Sequence, residues 1–233
     1  PRKNDFIKAL LKQCPDITTI VMNVNDTPDK MMLGNNQKVI YGKGYIEDEL
    51  CGCKFRISPK SFYQVNSVQT EKLYSKAMEM AALSGKEKVI DAYCGIGTIG
   101  LIASKNAAGV TGVELNRDAV HDAIENCKLN GIKNAYFICG DAGDFMVEQS
   151  LKGAKADVVF VDPPRAGCSR DFLRSLHKVR PQKIVYISCN PVTLERDMRY
   201  LTRFYEVNEI QPVDMFPHTS HVECVVSMSR KDK

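Results

Sequence analysis

A cysteine in the second half of the chain lies where nucleophilic chemistry is possible. Cys189 follows the apolar run Lys183–Ile187 and precedes Pro191, a residue favoured in the first turn of a helix. This order predicts that Cys189 ends a strand, where ligands meet the protein in an open parallel sheet. A thiol attacks only as the thiolate, and we expect Arg165 and the helix beginning at Pro191 to favour that form. A free cysteine ending a buried strand is as often a packing residue, so position alone leaves both interpretations open.

A glycine-rich stretch follows another predicted strand. Gly95, Gly97 and Gly100 satisfy G-x-G-x-x-G, a spacing that brings the backbone close to a ligand at a helix N-terminus. Glu114 ends the next predicted strand and could bind both hydroxyls of a ribose. Asp141 follows the third strand and could meet an adenine edge, although a helix N-cap explains it equally well. These features fit a dinucleotide and S-adenosylmethionine equally, and the glycine motif alone is weak.

The stretch Asp162-Pro163-Pro164-Arg165, at the end of the fourth predicted strand, separates these two ligands. Two consecutive prolines fix a rigid turn, so we expect Asp162 and Arg165 to project into the crevice with little freedom. Nicotinamide enzymes have no general need for such a turn. Enzymes that methylate nucleobases need it because a planar base must lie between the cofactor and the protein.

Predicted strands and helices alternate from Lys86 onward. Repeated β-α units imply a Rossmann-like α/β fold with a doubly wound, mostly parallel sheet. The last two strands, Val207–Gln211 and Glu223–Met228, are too close in sequence for a helical crossover, so we expect a C-terminal antiparallel hairpin. The sequence predicts a small, partial α+β region over residues 1–60. Residues 61–233 are the predicted catalytic domain. The other predicted strands of its sheet are Lys88–Asp91, Val110–Glu114, Ala135–Cys139, Asp157–Val161 and Lys183–Ile187.

The composition indicates a globular chain without a membrane span. Of 233 residues, 44% are hydrophobic and 26% charged, and no apolar run approaches the roughly 18 residues that a bilayer requires. A net charge of +4 is compatible with nucleic acid but does not demand it. Nine cysteines without a CxxC pair indicate free thiols in a reducing compartment, which favours the cytoplasm.

We expect no metal site. Cys51 and Cys53 form the one close cysteine pair, but a second half-site is missing. His218, His221 and Glu223 lie close in sequence but in a predicted loop, which lacks the face that such ligand spacing needs.

Five motifs together resemble the S-adenosylmethionine-dependent RNA uracil-C5 methyltransferases, which make 5-methyluridine in ribosomal or transfer RNA. The resemblance extends from Phe62 to the end of the chain. It implies that the sequence is a fragment without the family's N-terminal domain, which in many members is an oligonucleotide-binding barrel. The motifs are, in order, Phe62-Tyr63-Gln64-Val65-Asn66, Asp91-Ala92-Tyr93-Cys94-Gly95-Ile96-Gly97, Asp162-Pro163-Pro164-Arg165, Ser188-Cys189-Asn190-Pro191 and His221-Val222-Glu223.

The resemblance implies S-adenosylmethionine as cofactor and a cytoplasmic monomer that acts on RNA, with 23S ribosomal RNA favoured over transfer RNA. Cys189 is the implied nucleophile that adds to uracil C6, and Glu223 the base that removes the C5 proton. Asp162 is the third implied catalytic residue, which hydrogen-bonds the uracil edge or the cofactor. The implied cofactor contacts are Gln64, Tyr93, Gly95, Thr98, Glu114, Asp141 and Asp162, and the implied substrate contacts are Phe62, Asn66 and Arg165.

Other interpretations remain open from the residues themselves. Cys168 also follows the Asp-Pro-Pro-Arg turn and is a second candidate nucleophile. Without the other motifs, residues 58–66 would predict a linker with Phe62 in the core. The competing functions are an exocyclic-amine methyltransferase, which usually has an aromatic residue in place of Arg165, a nicotinamide oxidoreductase and a non-catalytic RNA-binding remnant.

Overall fold

A computed structural model describes residues 2–26, 33–34 and 36–231 of the chain. In these residues helices and strands alternate along most of the sequence. The helices are α1 (Lys3–Gln13), α2 (Ser67–Ala81), α3 (Thr98–Ser104), α4 (Arg117–Leu129), α5 (Ala142–Leu151), α6 (Arg170–Val179) and α7 (Pro191–Leu201). The strands are β1 (Thr19–Val24), β2 (Asn36–Gly42), β3 (Ile46–Leu50), β4 (Cys53–Ile57), β5 (Lys88–Ala92), β6 (Gly109–Glu114), β7 (Ala135–Cys139), β8 (Val158–Val161), β9 (Lys183–Ser188), β10 (Tyr205–Val213) and β11 (Glu223–Arg230).

A seven-stranded sheet forms the centre of the molecule, in the order β10-β11-β9-β8-β5-β6-β7. The five strands from β5 to β9 pair in parallel. Strand β11 is antiparallel to both β9 and β10, so the last two strands form a hairpin at one edge. The Rossmann-like α/β architecture and the C-terminal antiparallel hairpin predicted from the sequence are confirmed.

Helices cover both faces of this sheet. Helices α2, α3 and α4 pack on one face, and α5, α6 and α7 pack on the other. The strand β9 serves both cores because neighbouring side chains point to opposite faces. Val185 and Ile187 lie in the first core, on the face that α2, α3 and α4 cover. Ile184 and Tyr186 lie in the second core, on the face that α5, α6 and α7 cover. Each of these side chains is at most 1% exposed, and such burial contributes roughly 1.5–3 kcal/mol for an aliphatic residue.

Two small hairpins precede the large sheet. Strands β1 and β2 form one antiparallel pair, and β3 and β4 form the other. Strand β3 was not predicted because Glu47, Asp48 and Glu49 occupy its centre, and acidic residues are depleted in strands. Leu50 and Phe55 of the second hairpin are fully buried in the first core. The domain boundary near residue 60 stays a prediction.

Among the described residues, no helix combines the length and the apolar character needed to cross a membrane. All nine cysteines of the chain are free thiols, as their scattered spacing predicted.

Candidate active site

The predicted ligand-binding residues meet where the direction of winding reverses. Strands β5 and β8 are neighbours, but α3, which follows β5, and α6, which follows β8, pack on opposite faces of the sheet. Such a switch point leaves a crevice at the carboxyl ends of the two strands. The Tyr93–Gly97 loop leaves β5 at this crevice, and Asp162 follows β8 directly.

The loop after β5 has an unusual backbone. Tyr93, Gly95 and Gly97 all adopt positive φ angles, of 64°, 54° and 82° respectively. A Cβ atom on Gly97 would lie 2.8 Å from the Phe137 ring, so this glycine allows the loop to pack on β7. A Cβ atom on Gly95 would meet nothing within 4 Å, so the backbone there faces open space. The Gly95 backbone is therefore accessible to a ligand. Thr98 is the first residue of α3 and is partly exposed.

The Glu114 carboxylate is held next to this loop by two backbone donors. Its Oε2 accepts a hydrogen bond from Gly95 N at 3.1 Å, and its Oε1 accepts one from Asn116 N at 2.7 Å. Because each carboxylate oxygen has two lone pairs, both oxygens can still accept a ribose hydroxyl. Asp141 caps α5 through a 3.0 Å bond from Asp144 N to Oδ1. The N-cap explanation of Asp141 is therefore correct, and its contact with adenine stays a prediction.

A buried carboxyl that was not assigned a role from the sequence lies beneath the crevice. Asp91 is fully buried, and its Oδ2 accepts a 2.7 Å hydrogen bond from Gly100 N, whereas its Oδ1 has no hydrogen-bond partner. Burial raises the pKa of Asp91 to about 7. The signal in the sequence was an acidic residue inside the apolar strand Lys88–Ala92.

Asp162 and Glu223 extend this acidic environment. Burial, followed by the charges of Glu223 and Asp91, raises the pKa of Asp162 to about 8. Glu223 is only 5% exposed, and burial also raises its pKa, against the opposing effect of Arg165. Asp162 therefore keeps its proton near neutral pH and can donate a hydrogen bond.

The register of the C-terminal hairpin brings Glu223 to Cys189. Strands β11 and β9 are antiparallel, with Cys224 paired with Ser188. Glu223 precedes Cys224 and Cys189 follows Ser188, so both residues adjoin this last pair, and the charge of Glu223 acts on the Cys189 thiol. The candidate nucleophile and the candidate base, which are far apart in sequence, are thus neighbours at one end of the sheet.

The expectation that positive potential dominates at Cys189 and favours its thiolate is wrong. The pKa of Cys189 is raised, primarily by burial and then by the charges of Glu223 and Asp162. Arg165 lowers it, as expected, but does not outweigh these effects. The thiol is therefore protonated at rest, and it must lose this proton before it can attack.

The residue after the candidate nucleophile positions the Asp-Pro-Pro-Arg turn. Asn190 caps α7 by accepting a 3.1 Å hydrogen bond from Val192 N. Its Nδ2 donates to the Arg165 carbonyl at 3.0 Å, and Thr193 Oγ1 donates to the same oxygen at 3.2 Å. The backbone of Arg165 is therefore fixed to the helix that begins beside Cys189.

Cys168, the competing nucleophile, has an inert environment. Its side chain is 6% exposed, and its Sγ lies 3.6 Å from the Tyr186 hydroxyl. Burial is the main cause that raises the pKa of Cys168 to about 12. A buried thiol with this pKa is a poor nucleophile near neutral pH.

The loop of residues 58–66 is fixed at both ends. Asp122, 1% exposed, accepts hydrogen bonds of 2.9 Å from the hydroxyls of Ser58 and Ser61. Asn66 caps α2 through Gln69 N, and its Nδ2 donates to the Met215 carbonyl at 2.9 Å. These bonds assign Asn66 a structural role, and its contact with substrate stays a prediction.

The aromatic side chains of this loop divide between the core and solvent. Tyr63 lies against Phe55 of the core, with ring centroids 6.3 Å apart. Phe62 is 75% exposed, so the linker interpretation with Phe62 in the core is wrong. Phe62 is thus free to contact a ligand. Gln64 is partly buried.

The side chains considered for a metal site do not form one. Cys53 is buried in the first core, and the Cys51 thiol lies 4.0 Å from the Ser75 hydroxyl. His218 and His221 are exposed in the loop before β11. Within the part of the chain that the structure describes, no group of three or more His, Cys, Asp or Glu residues could hold a metal ion.

The buried Asp91 predicts a specific pH dependence of stability. Its folded pKa of about 7 exceeds the ordinary value of 3.8, so between these pH values the folded chain binds more protons than the unfolded chain. The free energy of unfolding should therefore fall as pH rises to about 7 and then level off. Asp91→Asn should remove about 3 kcal/mol of this decrease between pH 5 and pH 8, as estimated from two pH units at about 1.4 kcal/mol each. Urea unfolding at several pH values measures it.

Asp157→Asn is the matched control, because the partly exposed Asp157 also accepts a backbone hydrogen bond, from Lys88 N at 2.8 Å. We expect it to follow the wild-type pH dependence. An Asp91→Asn variant with the wild-type slope would show that Asp91 is ionised throughout.

Comparisons with known proteins agree on one family. The family described as tRNA (uracil-5-)-methyltransferase matches residues 29–231. The chain is 50% identical to an uncharacterised RNA methyltransferase of Caldanaerobacter subterraneus subsp. tengcongensis, over 99% of this chain and 51% of the relative. It is 46% identical to an uncharacterised RNA methyltransferase of Staphylococcus aureus, with the same coverage of both chains. It thus spans about half the length of these relatives.

A similar solved structure is that of the Pyrococcus abyssi tRNA (uracil-54, C5)-methyltransferase in complex with S-adenosyl-L-homocysteine. The two chains superpose with a TM-score of 0.79 at 34% identity, over 94% of this chain and 52% of the archaeal one.

Proposed function

Because this chain belongs to the tRNA (uracil-5-)-methyltransferase family, we propose that it is the catalytic part of an enzyme that methylates C5 of a uridine in RNA, with S-adenosylmethionine as the methyl donor. The observation that carries this proposal is the register of β9 and β11, which makes Glu223 the neighbour of Cys189. A thiol and a carboxyl at one site are the two groups that C5 methylation of uracil requires.

The crevice fits the proposed cofactor. The open backbone at Gly95 and the oriented Glu114 carboxylate suit a ribose, and Asp141 lies beyond the neighbouring strand for the adenine. Asp91 adds a buried oxygen without a hydrogen-bond partner, and its ionised form is compatible with a positively charged ligand. S-adenosylmethionine supplies an electrophilic methyl group on a sulfonium.

Cys189 begins the proposed reaction. Its proton is released to solvent, its sulfur forms a bond to uracil C6, and the electron pair of the C5–C6 double bond moves through C4 onto the O4 oxygen. The resulting enolate makes C5 nucleophilic enough to take the methyl group. Asp162, protonated near neutral pH, can donate a hydrogen bond to the oxygen on which this charge develops.

Glu223 completes the reaction. In its ionised form it accepts the proton from C5, the C5–C6 double bond forms again, and the C6–sulfur bond breaks to regenerate the Cys189 thiolate. The site then returns to its resting state when the thiolate regains a proton. Arg165, whose charge lowers the pKa of both groups, favours their ionised forms during this cycle.

Two RNA classes are candidates for the substrate. The resemblance stated from the sequence favours 23S ribosomal RNA, whereas the family description and the Pyrococcus abyssi enzyme name transfer RNA. We propose ribosomal RNA as the first target to test. The nine free cysteines support the cytoplasm as the site of action.

Glu114 is the residue on which cofactor affinity should depend. We expect Glu114→Ala to weaken S-adenosylhomocysteine binding by roughly 1–3 kcal/mol, the cost of losing hydrogen bonds to a charged group. Isothermal titration measures this loss, with Glu148→Ala, which removes only an exposed carboxylate paired with Lys152, as the control. Unchanged affinity in the Glu114 variant would exclude Glu114 as the ribose ligand. Binding of NAD in place of S-adenosylhomocysteine would favour the oxidoreductase.

Methyl transfer itself tests the proposed function. The chain is incubated with methyl-labelled S-adenosylmethionine and with separate ribosomal and transfer RNA from cells that lack the full-length protein. Nucleoside analysis should find the label in 5-methyluridine, and the RNA fraction that carries it identifies the substrate. Label on an exocyclic amine, or no label in either fraction, would contradict the proposal.

A further inference from the structure

A basic groove lies between α6 and α7, outside the crevice described above. Its volume is about 580 Å³. Four arginines line it: Arg170 and Arg174 from α6, Arg196 from α7, and Arg203 just beyond α7. Tyr200 is the aromatic residue of this groove.

The groove carries a net positive charge. The one acidic residue in its lining, Asp197, is fully buried and accepts hydrogen bonds from Tyr186 Oη at 2.7 Å and Cys168 N at 2.8 Å. Arg196 pairs with Asp197 at 2.8 Å, and Arg174 lies 3.6 Å from the exposed Asp171. Even with both aspartates ionised, the arginines leave an excess of two positive charges, a large share of the chain's net charge of +4.

The groove is joined to the proposed active site through the Asp-Pro-Pro-Arg turn. Arg196 Nη2 donates to the carbonyls of Ala166 and Cys168, at 2.9 and 3.1 Å. These residues follow Arg165, whose own carbonyl is held by Asn190, the neighbour of Cys189. The lining of the groove therefore begins at Cys168, directly after the turn that carries Arg165.

The local chemistry suits a single nucleic-acid strand. Arginine presents a planar set of donors that matches phosphate oxygens, and the N-terminus of α6, at Arg170, adds positive potential. The Arg203 guanidinium lies 5.7 Å from the centre of the Tyr200 ring, and both planar groups can stack on a base. Spaced cations with an interleaved aromatic ring are the pattern by which proteins bind single-stranded RNA.

We propose that this groove binds the phosphate backbone of the substrate RNA on one side of the target uridine. The inference rests on the proposed function, since it takes the crevice to be the place where the uridine reacts. The groove supplies affinity and orientation, whereas the crevice performs the chemistry. Its arginines contact phosphate and are therefore insensitive to the base sequence of the strand.

Substitution of the three arginines that do not hold the turn tests this proposal. The variant Arg170→Gln/Arg174→Gln/Arg203→Gln leaves Arg196 in place. The control, Lys12→Gln/Lys133→Gln/Lys155→Gln, removes the same charge from exposed lysines outside the groove lining. A fluorescein-labelled uridine 12-mer is titrated by fluorescence anisotropy from 50 to 300 mM KCl, and S-adenosylhomocysteine binding checks that both variants fold.

The groove variant should bind the 12-mer at least tenfold more weakly than wild type at 50 mM KCl. The slope of log K against log [KCl] should decrease in magnitude by about 2, since each phosphate contact to a single strand contributes about 0.7. The lysine control should change the affinity by less than threefold. Wild-type affinity in the groove variant, or an equal loss in the control, would overturn the proposal. So would equally tight, arginine-dependent binding of a polyglutamate 12-mer, which would indicate an acidic protein as the partner.

Failure of the proposed function would give a different result. A wild-type chain without methyl transfer, whose 12-mer binding still depends on the three arginines, would refute the uridine chemistry while showing that the groove binds single-stranded RNA. Conversely, if the groove variant methylates RNA with the wild-type kcat and KM, the groove proposal fails and the proposed function stands. We expect KM for RNA to rise at least tenfold and kcat to change by less than twofold.

Discussion

Replacement of Cys189 by alanine is expected to reduce methyl transfer to RNA by roughly four orders of magnitude or more, the scale on which loss of a covalent nucleophile acts. A methyl side chain cannot add to uracil C6, so C5 would remain a poor nucleophile. Cofactor affinity should be unchanged, because the candidate ribose and adenine contacts, Glu114 and Asp141, lie at the carboxyl ends of β6 and β7, whereas Cys189 follows β9. Single-turnover methyl transfer and titration with S-adenosylhomocysteine measure these two effects separately.

Cys168→Ala is the matched control for this substitution. It also removes one sulfur, but from a thiol that is 6% exposed and packed against Tyr186. We expect this variant to retain turnover within about threefold, with a loss of stability of about 1 kcal/mol. If Cys168→Ala loses turnover and Cys189→Ala retains it, the nucleophile has been assigned to the wrong thiol.

The second large effect is expected from Glu223→Gln, which keeps the size of the side chain but removes the base. Addition of Cys189 and transfer of the methyl group both precede removal of the C5 proton. The variant should therefore accumulate a covalent complex of protein and RNA that already carries the methyl group. Release of 5-methyluridine should slow by roughly 10²–10⁴-fold, the usual contribution of a general base. Denaturing gels with methyl-labelled cofactor measure both species.

Glu209→Gln in the same hairpin is the matched control. Glu209 is exposed on β10 and pairs with Lys76 at 2.8 Å, so its substitution should leave product release unchanged. Two results would remove Glu223 from the role of the base. Product release at the wild-type rate would mean that the proton leaves by another route. Complete loss of the covalent complex would mean that Glu223 acts before methyl transfer, for example by accepting the Cys189 proton.

Most of the fold could be predicted because each β-α unit has its own sequence signal. Strands such as Val158–Val161 are short apolar runs, and helices such as Arg117–Leu129 have a clear cap and an apolar stripe. Strand β3 lacks such a signal, since three of its five residues are acidic and only its pairing with β4 defines it.

The site could be predicted only in part, because motifs identify residues but not their electrostatic environment. The raised pKa of Cys189 arises from burial and from Glu223 and Asp162, which lie at the ends of different strands. The sequence drew attention to Arg165, whose charge does lower this pKa, but it did not reveal the larger effects that raise it. Asp91 was part of a recognised motif but had no assigned role, since its burial depends on the packing of α3 against β5.

The juxtaposition of Cys189 and Glu223 could not be obtained from spacing either. It depends on the antiparallel register of β11 on β9, which a shift of one residue would destroy by turning the Glu223 side chain to the other face of the sheet. The loop between β10 and β11 helps to fix this arrangement, because Asn66 donates a hydrogen bond to the Met215 carbonyl within it.

Trapping the chain on RNA that contains 5-fluorouridine tests covalent catalysis by Cys189 most directly. Fluorine replaces the C5 proton that Glu223 would remove, so the bond between sulfur and C6 cannot be broken after methyl transfer. The chain is incubated with this RNA and S-adenosylmethionine, denatured and digested, and its peptides are analysed by mass spectrometry. We predict one cofactor-dependent adduct, a methylated 5-fluorouridine attached to the peptide that contains Cys189. An adduct on Cys168, or methylated RNA without any covalent adduct, would contradict the mechanism.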